Sequence, residues 1–463
     1  MKKRSCLMIL ALCLLLTACG PAGQSEPAPA GPDEAAASAP EETAPEAETL
    51  LGIEMTDELS ERERGWIEDI EYLRTEYKAR HMDPFYLCPE EEFDWKLDRL
   101  EAKVGELSDE DIFYEINAVI AGMGDIHTVA YDPDLFYGKR FPARARYFDG
   151  KLYLTAYKEG YEELAPYLLR EIVAVNGVDV AFIDQKVDTG YSSFNSWLNR
   201  ENFYFLPAFY DWAGCDYTDG YTFQILNDNQ EVESVALPAV SYQEISDLKW
   251  IYPESWDERF YVKGGSWTKY VEGENDGAVY LAMDDFPIGS PSITKRYAQE
   301  IGKLFEEHPE CKKLVVDFRC CPGGDASILS GFQENIELLE ADQVYVLTSG
   351  RSASAATTFM AFFKKELGAV FVGEPTGQFS SFFHLSTSVL EPAVLPHSQI
   401  MIQISDSWYD GTDQYEGLLK EYYDEDGRLY PWESTILPDV YVYQDIEDIR
   451  QGKDSVMEWV LAQ

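Results

Sequence analysis

The chain has 463 residues, with 84 Asp and Glu against 37 Lys and Arg, for a formal net charge of −47. Hydrophobic residues make up 45% and aromatic residues 14%, so a large core can form and the chain as a whole is not disordered. The acidic excess argues against nucleic acid as a partner, because phosphates call for Lys and Arg, and against adsorption to anionic lipid through a basic patch.

Residues 1–18 read as a secretory signal. Lys2, Lys3 and Arg4 precede an apolar run from Cys6 to Leu16, and small residues follow. That run is too short to cross hydrocarbon about 30 Å thick. The ending Leu16-Thr17-Ala18-Cys19 resembles the bacterial lipobox. The resemblance implies cleavage before Cys19, lipid on its sulfur, and a protein held at the outer face of the cell membrane. Residues 19–50 hold Pro, Ala, Gly, Ser, Thr and acids, with no Lys, Arg or aromatic side chain. They cannot bury enough surface to order themselves and read as an extended tether. The remaining thiols, Cys88, Cys215, Cys311, Cys320 and Cys321, have the spacing of neither a disulfide framework nor a metal site. Cys320 and Cys321 are expected to be buried small residues.

Residues 51–135 form a helical region. Trp66, Ile70, Leu73 and Tyr77 recur at helical spacing, as do Phe93, Leu97, Leu100 and Val104. Asp109 is expected to cap a third helix carrying Ile112, Ile116, Val119 and Ile120. Residues 136–265 change to short β-branched and aromatic runs, such as 151–157, 171–178, 221–226 and 231–237. Asn176-Gly177 is a hairpin-type turn among them. From 266 to 463 the pattern is βαβ: buried strands are predicted at 278–283, 313–318, 344–348 and 369–372, with helices near 292–307, 326–339 and 355–366. A short helix over 445–461 closes the chain. The fold class is α/β, with a mainly parallel sheet.

Two turns at successive strand ends carry the chemistry. The first is Asp317-Phe318-Arg319-Cys320-Cys321-Pro322-Gly323-Gly324, and the second is Ser349-Gly350-Arg351-Ser352-Ala353-Ser354-Ala355-Ala356. Strand ends are where α/β sheets bind ligands. Glycine lets a backbone N–H approach a reacting atom. A serine entering a helix exposes its hydroxyl beside free N–H groups, as an acyl-transfer nucleophile requires.

These blocks, with Val372-Gly373-Glu374-Pro375-Thr376, resemble the catalytic core of the C-terminal processing (tail-specific) and tricorn-type serine peptidases. Gly124-Asp125-Ile126-His127-Thr128, Leu437-Pro438-Asp439-Val440 and Gly452-Lys453-Asp454-Ser455-Val456 extend the likeness over nearly all of the chain after the tether. The resemblance implies a crotonase- or ClpP-like peptidase core. It implies Ser354 as nucleophile, with Ser352 as the competing assignment, and an oxyanion hole from the Ala355 amide with Gly323 or Gly324. The processing branch activates its serine with a lysine in a Gly-Lys-Gly turn; the corresponding residue here is Phe379. Lys364, ten residues along a helix from Ser354, lies roughly 15 Å off, against the roughly 3 Å that proton transfer needs. The tricorn-like branch uses histidine, and His127 stands where that base is expected, with His384 as a substitute candidate. An imidazole with a pKa near 6.5 can take a serine proton and return it. Glu433, in Pro431-Trp432-Glu433, is the nearest match to the orienting acid of that branch, and Asp125 is expected to brace the loop of His127. Residues 171–180, with Val175-Asn176-Gly177, are similar to the core of a PDZ module whose carboxylate loop is missing. Arg144, Arg146 and Arg170 are candidate partners for a substrate carboxylate.

Together these imply a cell-surface serine endopeptidase acting on peptides or proteins through an acyl-enzyme. No metal or organic cofactor is required, and the bilayer is met only through the N-terminal anchor. The alternatives are a catalytically inactive, peptide-binding lipoprotein of the same fold and a non-peptide acyl hydrolase.

Overall fold

The computed structural model describes residues 59–86, 88–132, 138–190, 201, 206–215, 220–255, 267–273, 275–284, 286, 290–386, 391–411 and 436–463. The signal, Cys19, the tether and Glu433 lie outside the described residues.

The N-terminal region holds three helices, Glu61–Arg80, Glu90–Glu101 and Asp109–Ala121. The first and third begin in capping boxes, Ser60 with Glu63 and Ser108 with Asp111. Ser108, not the expected Asp109, therefore caps the third helix. Asp109 is its first residue and accepts hydrogen bonds from Arg62 Nε and Trp66 Nε1, each at 2.7 Å. The serine wins because its short hydroxyl reaches the Asp111 N–H while the Asp111 carboxylate reaches back.

The middle of the chain is β-rich. Ala143–Phe148 and Lys151–Lys158 form a hairpin extended by Trp250–Ile251. A four-stranded antiparallel sheet runs in the order Val178–Asp179, Ile172–Val175, Tyr221–Leu226, Val232–Leu237. Asn176 and Gly177 turn its hairpin with φ of 46° and 81°, the left-handed pair that a tight two-residue turn needs. The helices and these sheets share one buried cluster, from Ile70 and Phe93 through Ile116 to Phe141, Ile172 and Phe223.

The C-terminal part is a six-stranded sheet in the order Trp267–Val271, Ala278–Ala282, Lys313–Asp317, Gln343–Thr348, Val370–Gly373, Val440–Tyr441. The first pair is antiparallel and the other four are parallel. Strand alternation divides its two faces. Val279, Leu281, Leu314, Val316 and Val346 pack against the helices Ser292–Glu307 and Ala355–Leu367. Ala278, Tyr280, Val315, Tyr345 and Leu347 face the helix Ser455–Leu461. The fold is mixed α/β.

Two predicted helices are broken. Over 326–339 the chain makes short turns, Ala326–Leu329, Ser330–Gln333 and Ile336–Leu338. The Thr294 hydroxyl donates to the Ile328 carbonyl, an acceptor that a continuous helix would give to residue 332. The helix expected over 445–461 is two, Ile446–Arg450 and Ser455–Leu461, parted at Gly452 with φ 71°. The break lets Asp454 cap the second helix by accepting from the Val456 and Met457 amides.

Asp454 has a second task, which explains two of the sequence motifs. Arg319 donates to both Asp454 oxygens at 2.8 Å and to Asp317 at 2.7–3.1 Å, and Tyr280 donates to Asp317 at 2.6 Å. All four side chains are buried. The guanidinium therefore ties the strand end at Asp317 to the last helix of the chain. Arg319→Met is expected to leave two buried carboxylates without a cation and to cost about 3–5 kcal/mol, read as a fall in the urea midpoint.

Candidate active site

Ser354 stands at the junction between the strand Gln343–Thr348 and the helix Ala355–Leu367. Its φ is 52° and its ψ −129°, a conformation that a residue with a Cβ rarely adopts. A sharp strand-to-helix turn of this kind presents the serine hydroxyl above the sheet and leaves the next amide at the free helix end. That amide belongs to Ala355.

The glycine turn explains itself by contact. Gly323 has φ 107°, and a Cβ there would stand 2.5 Å from Ser354 Cβ and 2.9 Å from the Ala355 nitrogen. Gly324 has φ 132°, and its Cβ would come 2.1 Å from the Phe286 carbonyl oxygen. Only glycine fits either place, and at Gly323 the backbone closes directly on the Ser354 turn.

His127 Nε2 lies 3.0 Å from Ser354 Oγ, across 227 residues of sequence. Both side chains are buried. The ring is brought there by a strand pairing that no sequence pattern announced. Val129–Tyr131 runs antiparallel to Met401–Gln403, with Val129 opposite Gln403. Gln403 Nε2 donates to the His127 carbonyl at 2.8 Å, and the Ser405 amide donates to Thr128 Oγ1 at 3.1 Å. Asp125 folds the loop around itself. Its carboxylate accepts from the His127 amide at 2.8 Å, Thr128 Oγ1 at 2.5 Å and His81 Nε2 at 3.2 Å. Burial works to raise the Asp125 pKa, but the hydrogen bond and charge of His81, with His127 nearby, hold it below the usual range. Asp125 thus braces the loop through the His127 amide and the Thr128 hydroxyl.

Burial lowers the His127 pKa to about 4; the Asp125 charge opposes the shift, His384 reinforces it, and the Phe383 backbone carbonyl opposes it. The ring is therefore neutral at pH 7. With Nε2 facing the serine hydroxyl as acceptor, its proton sits on Nδ1. Nδ1 is buried and meets no partner at hydrogen-bond geometry among the described residues. Phe382 covers the ring at 5.4 Å between centroids.

The other expected candidates fall into place or fall away. The Ser352 hydroxyl donates to the Phe318 carbonyl at 2.9 Å and accepts from the Ser349 amide, so it clips the turn to the neighbouring strand end. His384 Nδ1 donates to the Leu385 carbonyl at 2.7 Å. Lys364 pairs with Asp439 at 2.8 Å, and Phe379 is buried where the processing branch has its lysine. Arg170 pairs with Asp228 at 2.9 Å. Arg144 stacks on Trp250 at 4.2 Å, and Arg146 donates to Cys320 Sγ at 3.6 Å. The five described cysteines are free; Cys320 is half-buried rather than buried as a residue, with its thiol beside Arg146 and its pKa pushed up to about 12 by burial. Arg351, three residues before Ser354, forms a buried ion pair with Glu201 and fastens the nucleophile turn to the Tyr147 carbonyl. Two residues at the site carried no sequence signal: His81, remote in the chain, and Gln378, whose carboxamide oxygen accepts from the Ser354 amide. Among the described residues, no group of three or more His, Cys, Asp or Glu side chains is placed to hold a metal ion.

No family model matches the chain, and no curated protein matches it. Solved structures do. Mature CPAF complexed with lactacystin matches with a TM-score of 0.57 at 12% identity, over 87% of this chain and 99% of that one. Mature CPAF by itself gives 0.57 at 12% identity, over 87% and 96%. The photosystem II D1 C-terminal processing protease matches over 86% of this chain and 99% of its own, at 11% identity and a TM-score of 0.41. The chain shares the fold of mature CPAF.

Gly323→Ala is expected to displace Ser354 or the Ala355 amide and to lower the rate of serine-directed labelling by a fluorophosphonate at least about 100-fold. Thermal melting of the same variant separates this from unfolding.

Proposed function

We propose that this chain is a serine endopeptidase that hydrolyses peptide bonds through an acyl-enzyme. The observation that carries the reading is the 3.0 Å contact between His127 Nε2 and Ser354 Oγ, at a serine whose turn faces Gly323 and a free helix end. Ser354 Oγ attacks the peptide carbonyl carbon, and its proton passes to His127 Nε2. The Ala355 N–H, with an N–H of Gly323 or Gly324, takes the charge that develops on the carbonyl oxygen. Collapse breaks the C–N bond, and the imidazolium returns the proton to the departing amine. Water, deprotonated by the same nitrogen, then releases the acid and restores the serine. The proton relay needs no metal or organic cofactor.

Glu433 keeps the role of orienting acid as a proposal from the sequence. The N-terminal sequence supports export, lipid attachment at Cys19 and display at the outer face of the membrane. The hairpin at Asn176-Gly177 supports reading 136–265 as a degenerate PDZ-like module beside a crotonase- or ClpP-like core at 266–463. A second reading, an inactive peptide binder, draws on the weak basicity of the buried His127 ring.

Ser354→Ala and His127→Ala are each expected to lower kcat on the order of 10,000-fold or more with the fold intact. A fluorophosphonate that labels the wild-type chain but not Ser354→Ala decides between enzyme and binder; wild-type kcat in either variant overturns the assignment. The base must be neutral to act, and its pKa is lowered. The acid limb of kcat/KM is therefore expected near pH 4, not near 6.5, with activity lost as pH falls through that value.

A further inference from the structure

We propose that Gln378 is a positioning residue for the nucleophile: its carboxamide is a neutral clamp on the Ser354 amide that holds the hydroxyl at the imidazole. The inference rests on Ser354 being the reacting group.

The Ser354 backbone is the part of the site least able to hold itself. At φ 52° it lies outside the helix that follows, as its N-cap. Ser354 is buried, so that N–H has little water to bond. A buried donor left unmade is costly. Gln378 Oε1 supplies the acceptor. The side chain is 1% exposed, so it cannot swing into solvent.

The clamp is itself fixed from behind. Thr376 Oγ1 donates to the Gln378 carbonyl at 2.7 Å, and the Gly377 amide donates to the Ser352 carbonyl at 3.1 Å. The Thr376 amide donates to the Ile436 carbonyl, and the Ile436 amide returns to Thr376 Oγ1, each at 3.1 Å. The turn 376–378 is thus strapped to the nucleophile turn on one side and to the Ile436 segment on the other.

A carboxylate would accept the same hydrogen bond more strongly. It would also bring a negative charge toward the imidazole, which already faces Asp125 and His384, and would raise its pKa. A carboxamide accepts without charge. The trade is visible in the structure: Gln378 Nε2 is a buried donor with no partner among the described residues. Nothing about packing requires an amide whose nitrogen goes unused. The oxygen is the atom that matters.

The second observation concerns the oxyanion hole. Because Gln378 occupies the Ser354 N–H, that amide is withdrawn from substrate, and the hole is left to Ala355 and the glycine turn. Removing the clamp therefore loosens the hydroxyl without touching a group that binds peptide. The signature is a loss in kcat with KM retained.

The test compares wild type, Gln378→Met and Gln378→Glu in three measurements: the fluorophosphonate labelling rate, kcat and KM on a peptide substrate, and thermal melting. Gln378→Met, which has no acceptor, is expected to label and turn over on the order of 100-fold more slowly with KM within about twofold of wild type. Gln378→Glu, which keeps an acceptor oxygen, is expected to stay within about tenfold of wild type and to move the acid limb of kcat/KM upward. A Gln378→Met variant as fast as wild type overturns the proposal, and so does a folded Gln378→Glu as slow as Gln378→Met. Should Gln378→Met fail to fold, the labelling rate and acid limb of Gln378→Glu decide alone. If the wild-type chain itself does not label, the nucleophile assignment fails and the clamp with it; labelling of wild type with no effect at 378 sinks the clamp only.

Discussion

One contact orders the rest: an imidazole from the first third of the chain meets a hydroxyl from the last third. Neither partner is held by its own neighbourhood. His127 sits on a loop wrapped round Asp125, and that loop is fixed by pairing between Val129–Tyr131 and Met401–Gln403. The first helix adds its own hold on the same distal segment, with the Asp69 carboxylate accepting from the His397 and Ser398 amides at 2.7 Å. Ser354 is fixed by the parallel sheet, by glycine backbone at van der Waals distance and by the Gln378 carboxamide. Three separate sets of hydrogen bonds must all be made before the two atoms lie 3.0 Å apart.

The same economy governs charge. In a chain of net charge −47, the site's own polar groups are kept neutral or paired. Asp125 is spent on main-chain and His81 contacts, and Arg319 is shared between two aspartates at a distance from the serine. The imidazole is left desolvated and weakly basic. Such a ring is a poor resting base but stays unprotonated over a wide range of pH.

Much of this was legible in the residues. Buried apolar runs with helices between them gave the parallel sheet, because both faces of such strands are covered and alternation disappears. The glycine and serine turns at strand ends pointed to the place where His127 and Ser354 meet. Other features were hidden for physical reasons. Strands as short as Met401–Gln403 and Val129–Tyr131 have no periodicity to read, yet their pairing seats the His127 loop. Asp109 and Ser108 are both good caps by type, and only the reach of Asp111 back to Ser108 separates them. The break in 326–339 comes from Thr294, a residue more than thirty positions away, taking the Ile328 carbonyl. Ser352 and Ser354 look alike in sequence and differ only in which carbonyl or ring each hydroxyl finds. Gln378 had no signal at all, since a glutamine beside a phenylalanine in a loop is ordinary surface composition.

The strand pairing at residue 129 has a temporal side. A ribosome delivers the base early and the segment that seats it some 270 residues later. Until residues 401–403 emerge and dock, the ring has no fixed address, and a half-made chain carries a histidine and soon a serine that do not know each other. The meeting of ring and hydroxyl is therefore made only after the segment at 401–403 has been synthesised.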